Sequence, residues 1–419
     1  MRNGLFLSLI AAAFLVSILP AGAQGRGQAV TLPDGPGKEL VQMNCAKCHG
    51  LNNITNSWGN TQQGWHDLFA SMVELPKDQA DGIASYLATH FPVKPAPEGK
   101  VIAGPANVSF QEWTLPTLGQ RPHDPLAARD GSIWWTGMFA NVLGRLDPKT
   151  GQMKEFPLTT PRSGPHGLVE DKDGHIWYTA NQSTHIGRLD PKTGTVTEYQ
   201  LPAGVRGPHT PIFDQKGTFF FTNQSGHVGR INPATGEMKV VATPSTGTYP
   251  YGIQVNSKGI PWYVDFRGNR LGSVDPVTMA IKEYTLPSAD ARPRRIALTP
   301  DDVVWYTDFA RGYLGRFDPA TGAVKEWLSP GGPQSEPYGI AYADGAIWYS
   351  DSAVRPNTLV RFDPKTETFQ TWVIPAGGGV VRNMMRTSDG LHLVLAESAL
   401  NRVALVDIRA TPGTTTSSK

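Results

Sequence analysis

Residues Pro165 to Pro202 read PHGLVEDKDGHIWYTANQSTHIGRLDPKTGTVTEYQLP. Four short β-type runs are separated here by turn chemistry: D-K-D-G after the first and D-P-K-T-G after the third. Asp and Pro open the second turn, and Gly takes its left-handed position. The unit recurs from Asn107 to Asp407. The Asp or Asn closing its third run falls at Asp147, Asp190, Asn232, Asp275, Asp318, Asp363 and Asp407, at spacings of 42 to 45 residues. Repeats of that length with four short strands each make a β-propeller, and seven such positions predict seven blades. The unit has no helical periodicity, which excludes a helical solenoid. The last unit stops after Asp407 without a fourth strand. A spare strand, FQEWTLP at Phe110 to Pro116, precedes the first unit and matches KEYTLP at Lys282 to Pro287. The spare strand is therefore expected to complete blade seven and close the ring.

Composition agrees with a β-rich globular chain. Its 419 residues include 45 Gly, 35 Pro, 11 Trp, 16 Phe and 12 Tyr, with 18% charged residues. The net charge of +2 gives no electrostatic basis for binding nucleic acid or an acidic membrane surface. Two cysteines exclude a disulfide-stapled scaffold.

The chain begins as an export signal. Arg2 precedes the uncharged apolar run Leu5 to Leu19, and Ala21-Gly22-Ala23 offers a cleavage site after Ala23, so residues 1–23 read as a signal peptide. The competing reading is an uncleaved anchor, but the run is shorter than the roughly 20 residues that span a bilayer. After cleavage no membrane span remains, and the expected location is periplasmic or secreted.

Both cysteines lie in Cys45-Ala46-Lys47-Cys48-His49, the C-x-x-C-H pattern of covalent haem attachment. The two thiols can bond the haem vinyls, and His49 can face the iron. A redox dithiol would not require the following His. Residues 35–92 resemble a small all-α class I cytochrome c domain, with helices expected over Gly37 to Asn44 and Lys77 to His90. The resemblance implies one covalent haem c and a sixth ligand from the loop before the last helix. Met72 occupies that loop, His66 and His90 are its rivals, and a Met/His pair suits electron transfer. Residues 93–107, rich in Pro, Gly and Ala, read as a linker. Residues 108–408 form the propeller, and residues 409–419 read as a disordered tail.

The motifs P-x-G-I, D-G-x-I-W-Y-T and I-G-R-x-D-P-x-T-G resemble the virginiamycin B lyase, or streptogramin lyase, family of seven-bladed propellers. The resemblance spans about residues 108 to 408. It implies opening of a cyclic peptide antibiotic by a His and Glu residues beside a magnesium ion at one mouth. The family's catalytic His follows E-P. Here the slot reads Glu336-Pro337-Tyr338, a partner His slot holds Arg294, and the acid ending the strand is Asp351. Eliminating a backbone ester needs a proton acceptor titrating near neutrality, so Tyr338 and Arg294 disfavour a carbon–oxygen lyase.

Equivalent positions can be compared across blades. The residue after the first-strand Pro is His123, His166, His209, Tyr251, Arg294 and Tyr338, with Arg382 in the last unit. Innermost strands line the channel, so these seven are expected to ring one mouth. About fourteen residues on lies a second set: Gly137, Ala180, Asn223, Asp265, Asp308, Asp351 and Glu397. One reading is that polar residues at a wet channel mouth only satisfy backbone groups and water. The sharper reading is a binding site. Three neutral imidazoles suit a divalent metal, the acids Asp265, Asp308, Asp351 and Glu397 suit a hard cation or a pairing with Arg294 and Arg382, and Arg with His suits a small polar or anionic ligand. The tryptophans of W-Y-T read as blade core. His175, His185 and His227 read as solvated turn residues.

Three functions follow as expectations. The first is an exported electron-transfer protein with a periplasmic redox partner, whose propeller docks that partner or oxidises a small polar substrate. His123, His166 and His209 would then hold substrate or metal, and Asp308 or Asp351 would take the proton. The second makes the propeller a non-catalytic binding module, and the third is the disfavoured lyase. No motif for pyrroloquinoline quinone or copper is present.

Overall fold

The computed structural model describes residues 30–46, 50–409 and 417–418. The segment read as a signal peptide, the expected attachment residue Cys48 and the expected iron ligand His49 lie outside the described residues. Among the described residues no helix is long and apolar enough to cross a membrane.

Seven antiparallel four-stranded blades follow in order, each numbered from its channel strand outward. Blade 1 comprises Pro122–Ala127, Ile133–Gly137, Val142–Leu146 and Met153–Pro157. Blade 7 takes three strands from the end of the chain and its fourth, Ser109–Thr114, from the start. That strand pairs antiparallel with Arg402–Asp407, from Ser109 opposite Asp407 to Thr114 opposite Arg402. The closure expected from the FQEWTLP match is thus present. The tail is not wholly unpaired as expected: Ser417–Ser418 runs parallel beside Gln111 and Glu112.

The tryptophans pack as blade core. Trp134, Trp177, Trp262, Trp305 and Trp348 are all buried. Each stacks on an aromatic of its blade's outer strand, Phe156, Tyr199, Tyr284, Trp327 and Trp372, at 5.1 to 5.7 Å between centroids. Burying such pairs provides the apolar area that holds neighbouring blades together. Apolar clusters cross the seams, as where Trp262 and Val264 of blade 4 meet Tyr306 and Phe317 of blade 5.

Ahead of the propeller the described residues form four helices, α1 (Lys38–Cys45), α2 (Asn52–Thr55), α3 (Gln62–Ala70) and α4 (Lys77–His90). The first and last match the expected helices to within a residue. They share one small core of Val41, Ile54, Trp65, Phe69, Ile83 and Leu87 among others, with Cys45 packed against it. A Cβ on Gly37 would stand 2.7 Å from the Gly82 carbonyl oxygen, so α1 meets α4 at backbone contact. Thr61 caps α3 by accepting the Gly64 N–H at 3.0 Å. The 93–107 segment is not a free linker. Glu98 bridges to Arg355, Ile102 bridges to Thr371, and Gln370 bonds the Ala106 backbone through both ends of its amide, all on blade 6.

Candidate functional site

Every innermost strand carries a one-residue bulge directly after its first position, as between Pro122 and Pro125 or Pro337 and Ile340. A bulge sets two consecutive residues against one on the neighbouring strand and re-aims their side chains. The Thr of W-Y-T fixes it. Thr136 Oγ1 accepts the Asp124 N–H at 3.1 Å and donates to the His166 carbonyl of the next blade at 2.8 Å. Thr179, Thr222 and Thr307 repeat this, donating to the His209, Tyr251 and Tyr338 carbonyls at 2.6 to 2.9 Å. The motif therefore ties His166, His209, Tyr251 and Tyr338 each to the blade before it.

The expected mouth residues do come together. The ring centroids of His123 and His166 lie 3.6 Å apart, His166 and His209 3.8 Å, and His209 and Tyr251 3.7 Å. The Tyr251 and Tyr338 hydroxyls hydrogen-bond at 2.6 Å, joining blade 4 to blade 6. Arg294 stands over the Tyr338 ring at 3.8 Å and Phe309 at 4.0 Å, a cation–π seat, and Arg382 lies at the same rim, half-buried.

Burial governs the electrostatics here. Desolvation first, then the Arg382, Arg295 and Arg121 charges, holds His123 far below its usual range. His166 and His209 are lowered for the same first reason, so all three imidazoles are neutral at pH 7. For Tyr338, burial works upward. The Arg294, Arg382 and Arg295 guanidiniums and the Tyr251 bond outweigh it and bring the phenol to about 8. Burial carries its partner Tyr251 up to about 12.

Below the ring the channel is bridged. Asp124 and Arg295, the second residues of the bulges in blades 1 and 5, form a buried ion pair at 2.7 Å. Arg295 also donates to Thr210 at 3.1 Å and to the Arg382 carbonyl at 3.2 Å. Past this pair a cavity of about 580 Å³ runs toward the other end, lined by residues such as Leu168, Ile212, Gln254 and Leu298. Neither Asp124 nor Arg295 was singled out from the sequence. The signal was available, because P-H-D-P and P-R-R-I place a second charge beside the expected channel residue.

The acids are a correction: they do not stand beside the ring. Asp265 accepts the Tyr249 and Arg267 N–H groups at 2.8 and 3.1 Å. Asp308 accepts the Arg292 N–H at 2.9 Å and pairs with Arg311 at 2.6 Å. Asp351 accepts from Ser329 at 2.6 Å and the Gly331 N–H at 3.0 Å, and burial pushes it up to about 6. Each carboxylate thus staples the loop that leads into its own blade's channel strand. Glu397 is buried with both oxygens unbonded, and burial with the neighbouring Glu112 carboxylate pushes it well above the usual range. In the other three blades Gly137, Ala180 and Asn223 hold the slot, and Gln120 fills the space at Gly137. His185 is also not a solvated turn residue. It lies buried on the third strand of blade 2, 3.4 Å from Glu198.

For a metal, the ligand atoms of His123, Asp124 and His166 lie within 4.8 Å of one another, a set without His209. Asp124 is already committed to Arg295, and four guanidiniums surround the site, Arg121, Arg294, Arg295 and Arg382.

The helical unit docks at this same end. The Gly119 N–H donates to the Ser71 carbonyl at 2.8 Å, and a Cβ at Gly119 would lie 2.6 Å from the Met72 carbonyl oxygen. Gly119 is four residues before His123. Ser71 also reaches the Ala399 carbonyl of blade 7, and Arg355 of blade 6 reaches Gly59 and Asn60. His90 stacks on Tyr86 at 4.5 Å, and His66 is half-exposed beside Phe69.

A search of the curated proteins returns no match. Among solved structures, a selenomethionine-substituted virginiamycin B lyase from Staphylococcus aureus is similar, at 24% identity and a TM-score of 0.65, covering 72% of this chain and 99% of that one. A streptogramin B lyase is 26% identical with a TM-score of 0.65, covering 72% and 98%. A catalytically inactive S. aureus virginiamycin B lyase with quinupristin is 23% identical with a TM-score of 0.65, covering 72% and 99%. The model of the virginiamycin B lyase family matches residues 77–410, and with the seven blades and their bulged channel strands this chain belongs to that family.

Proposed function

We propose that the chain is an exported c-type cytochrome with one covalent haem, joined to a propeller whose mouth binds a small polar substrate, and that it works as a periplasmic electron-transfer protein with a partner redox protein. The observation that carries this is the C-x-x-C-H motif at the end of α1, in an all-α unit docked through Ser71 and Met72 beside the His/Tyr/Arg mouth. Cys45 fits its role, since it packs against the small helical core where an apolar macrocycle would complete the burial. Cys45 and Cys48 would hold the group covalently, and His49 and Met72 would bind its iron. When bound, the haem supplies a one-electron couple, and a Met/His pair raises its potential.

The propeller's residues do the binding. Neutral His123, His166 and His209 form a wall of closely packed, tilted rings. Tyr251, Tyr338 and Arg294 supply donors at its edge. The lyase named for the relatives is not carried over. Its base slot holds Tyr338, hydrogen-bonded to Tyr251, and its partner slot holds Arg294. Of the acids, Asp265, Asp308 and Asp351 are already engaged by loop N–H groups, Ser329 and Arg311.

The test is spectroscopic. Protein exported with its haem should show the absorption signature of methionine-ligated ferric haem. Met72→Ala should lose that signature and lower the potential, while His66→Ala and His90→Ala leave both unchanged. A signature unaffected by Met72→Ala would reject this ligand set.

A further inference from the structure

The mouth's charges do not balance. Arg121, Arg294, Arg295 and Arg382 converge there: Arg294 and Arg295 stand over the Tyr338 ring at 3.8 and 5.9 Å, and all four charges act on the His123 site. The carboxylates among them are Asp124 and Glu336. Asp124 is taken up by Arg295. Glu336 is half-buried and close enough to feel the Arg294 and Arg382 charges, but none of the ion pairs among the described residues includes it, so it is one carboxylate facing three rim guanidiniums. The Nε atoms of Arg294 and Arg382 are buried without a hydrogen-bond partner. Arg121 is held with a positive φ of 51° and stacks on Phe139 at 4.7 Å rather than on an acid. Burial, then the Arg382 charge, lowers its guanidinium to about 9. Half-buried guanidiniums that outnumber their carboxylates are costly to hold together. Two buried Nε donors left without an acceptor at one rim point to a ligand that brings the negative charge.

We infer that the rim formed by Arg121, Arg294 and Arg382, against the Tyr251–Tyr338 pair, is a binding site for a small anion, a carboxylate or an oxyanion. This rests on the reading of the mouth as a substrate site and names the class of that substrate. The same charges argue against a divalent metal on His123, Asp124 and His166, because a cation there would face four guanidiniums and displace Arg295 from Asp124. The planar forks of the arginines suit the paired oxygens of a carboxylate or oxyanion. Neutral imidazoles add a wall without further charge. The site borders the helical unit, since Arg121 is two residues beyond Gly119, the contact for Met72.

The experiment is calorimetric titration of the full-length holoprotein with sodium oxalate and with sodium sulfate, and with glucose as neutral control. Binding of either anion at sub-millimolar concentration is expected, with glucose silent. Oxalate alone would identify an organic acid, sulfate alone an inorganic oxyanion. Arg294→Gln and Arg382→Gln should each weaken binding about tenfold or more, the loss of one charge-assisted contact. Arg188→Gln, on the outer part of blade 2, should leave it unchanged. Thermal unfolding of each variant separates lost binding from lost folding, and Arg382, half-buried, is the safer substitution. No binding of either anion at millimolar concentration, or binding untouched by both variants, overturns the inference. So does tight zinc binding that His166→Ala abolishes. Failure here with the methionine-ligated haem signature intact removes the anion site alone. Anion binding by a chain that takes up no haem removes the electron-transfer reading alone.

Discussion

Gly315 explains a letter of the repeat. A Cβ there would lie 2.0 Å from Tyr306 Cζ, and Gly144, Gly187, Gly229 and Gly272 meet the second-strand aromatic of their own blades at 2.0 to 2.3 Å. The Gly of I-G-R is therefore the space into which the ring of W-Y-T packs. Gly315→Ala should destabilise the protein by about 1–3 kcal/mol through overpacking, read as a lower midpoint in chemical denaturation. An unchanged midpoint would mean that the ring moves aside freely. Tyr338 gives a second residue-scale prediction. Facing Tyr249, Tyr251, Arg121, Arg294, Arg295, Arg382 and its neighbour Glu336, it should ionise near pH 8, seen as phenolate absorbance in a pH titration. Tyr338→Phe should remove that step. Phenolate absorbance appearing only above pH 10 in the parent protein would contradict it. The identity of the channel residues was legible because the repeat aligned them. Their protonation was not, because it depends on guanidiniums delivered by other blades.

At the scale of the strand, the bulge made part of the site illegible. Alternation in a regular strand offers one channel-facing residue near the mouth, whereas the bulge offers two, so Asp124 and Arg295 reach each other across the channel. Removing one partner leaves a buried charge, so Asp124→Asn should cost about 3–5 kcal/mol. Replacing both, Asp124→Leu with Arg295→Met, should cost much less. Equal losses in the two variants, measured by urea denaturation, would show that the pair is not what bridges the channel. The acids were misplaced for a related reason: equal spacing from the ring does not give equal direction, and the loops before Pro250, Pro293 and Pro337 claim them first. Glu397 adds a pH dependence to the closing blade. Its folded value lies above the unfolded one, so the folded chain keeps a proton that the unfolded chain has shed. Its contribution is fully present below the ordinary Glu value of 4.5 and is lost as pH rises toward the folded value. Glu397→Gln should flatten this decline and raise stability at pH 7 to 8. An unchanged slope in thermal unfolding against pH would count against a neutral Glu397.

At the scale of the molecule, ring closure by the N-terminal strand was legible from one internal match, FQEWTLP against KEYTLP. The docking of the helical unit was not, since Ser71 and Met72 meet Gly119 through backbone carbonyls, and Arg355, whose guanidinium reaches Gly59 and Asn60, carries no motif. That docking ties the account together, because it sets the cysteine motif's unit beside the propeller mouth. The most direct test is the haem content of the full chain exported with a c-type haem maturation system, measured by pyridine haemochrome. The account predicts one haem c per chain, and none in Cys45→Ala/Cys48→Ala. A parent protein that is folded and exported yet carries no covalent haem would contradict it.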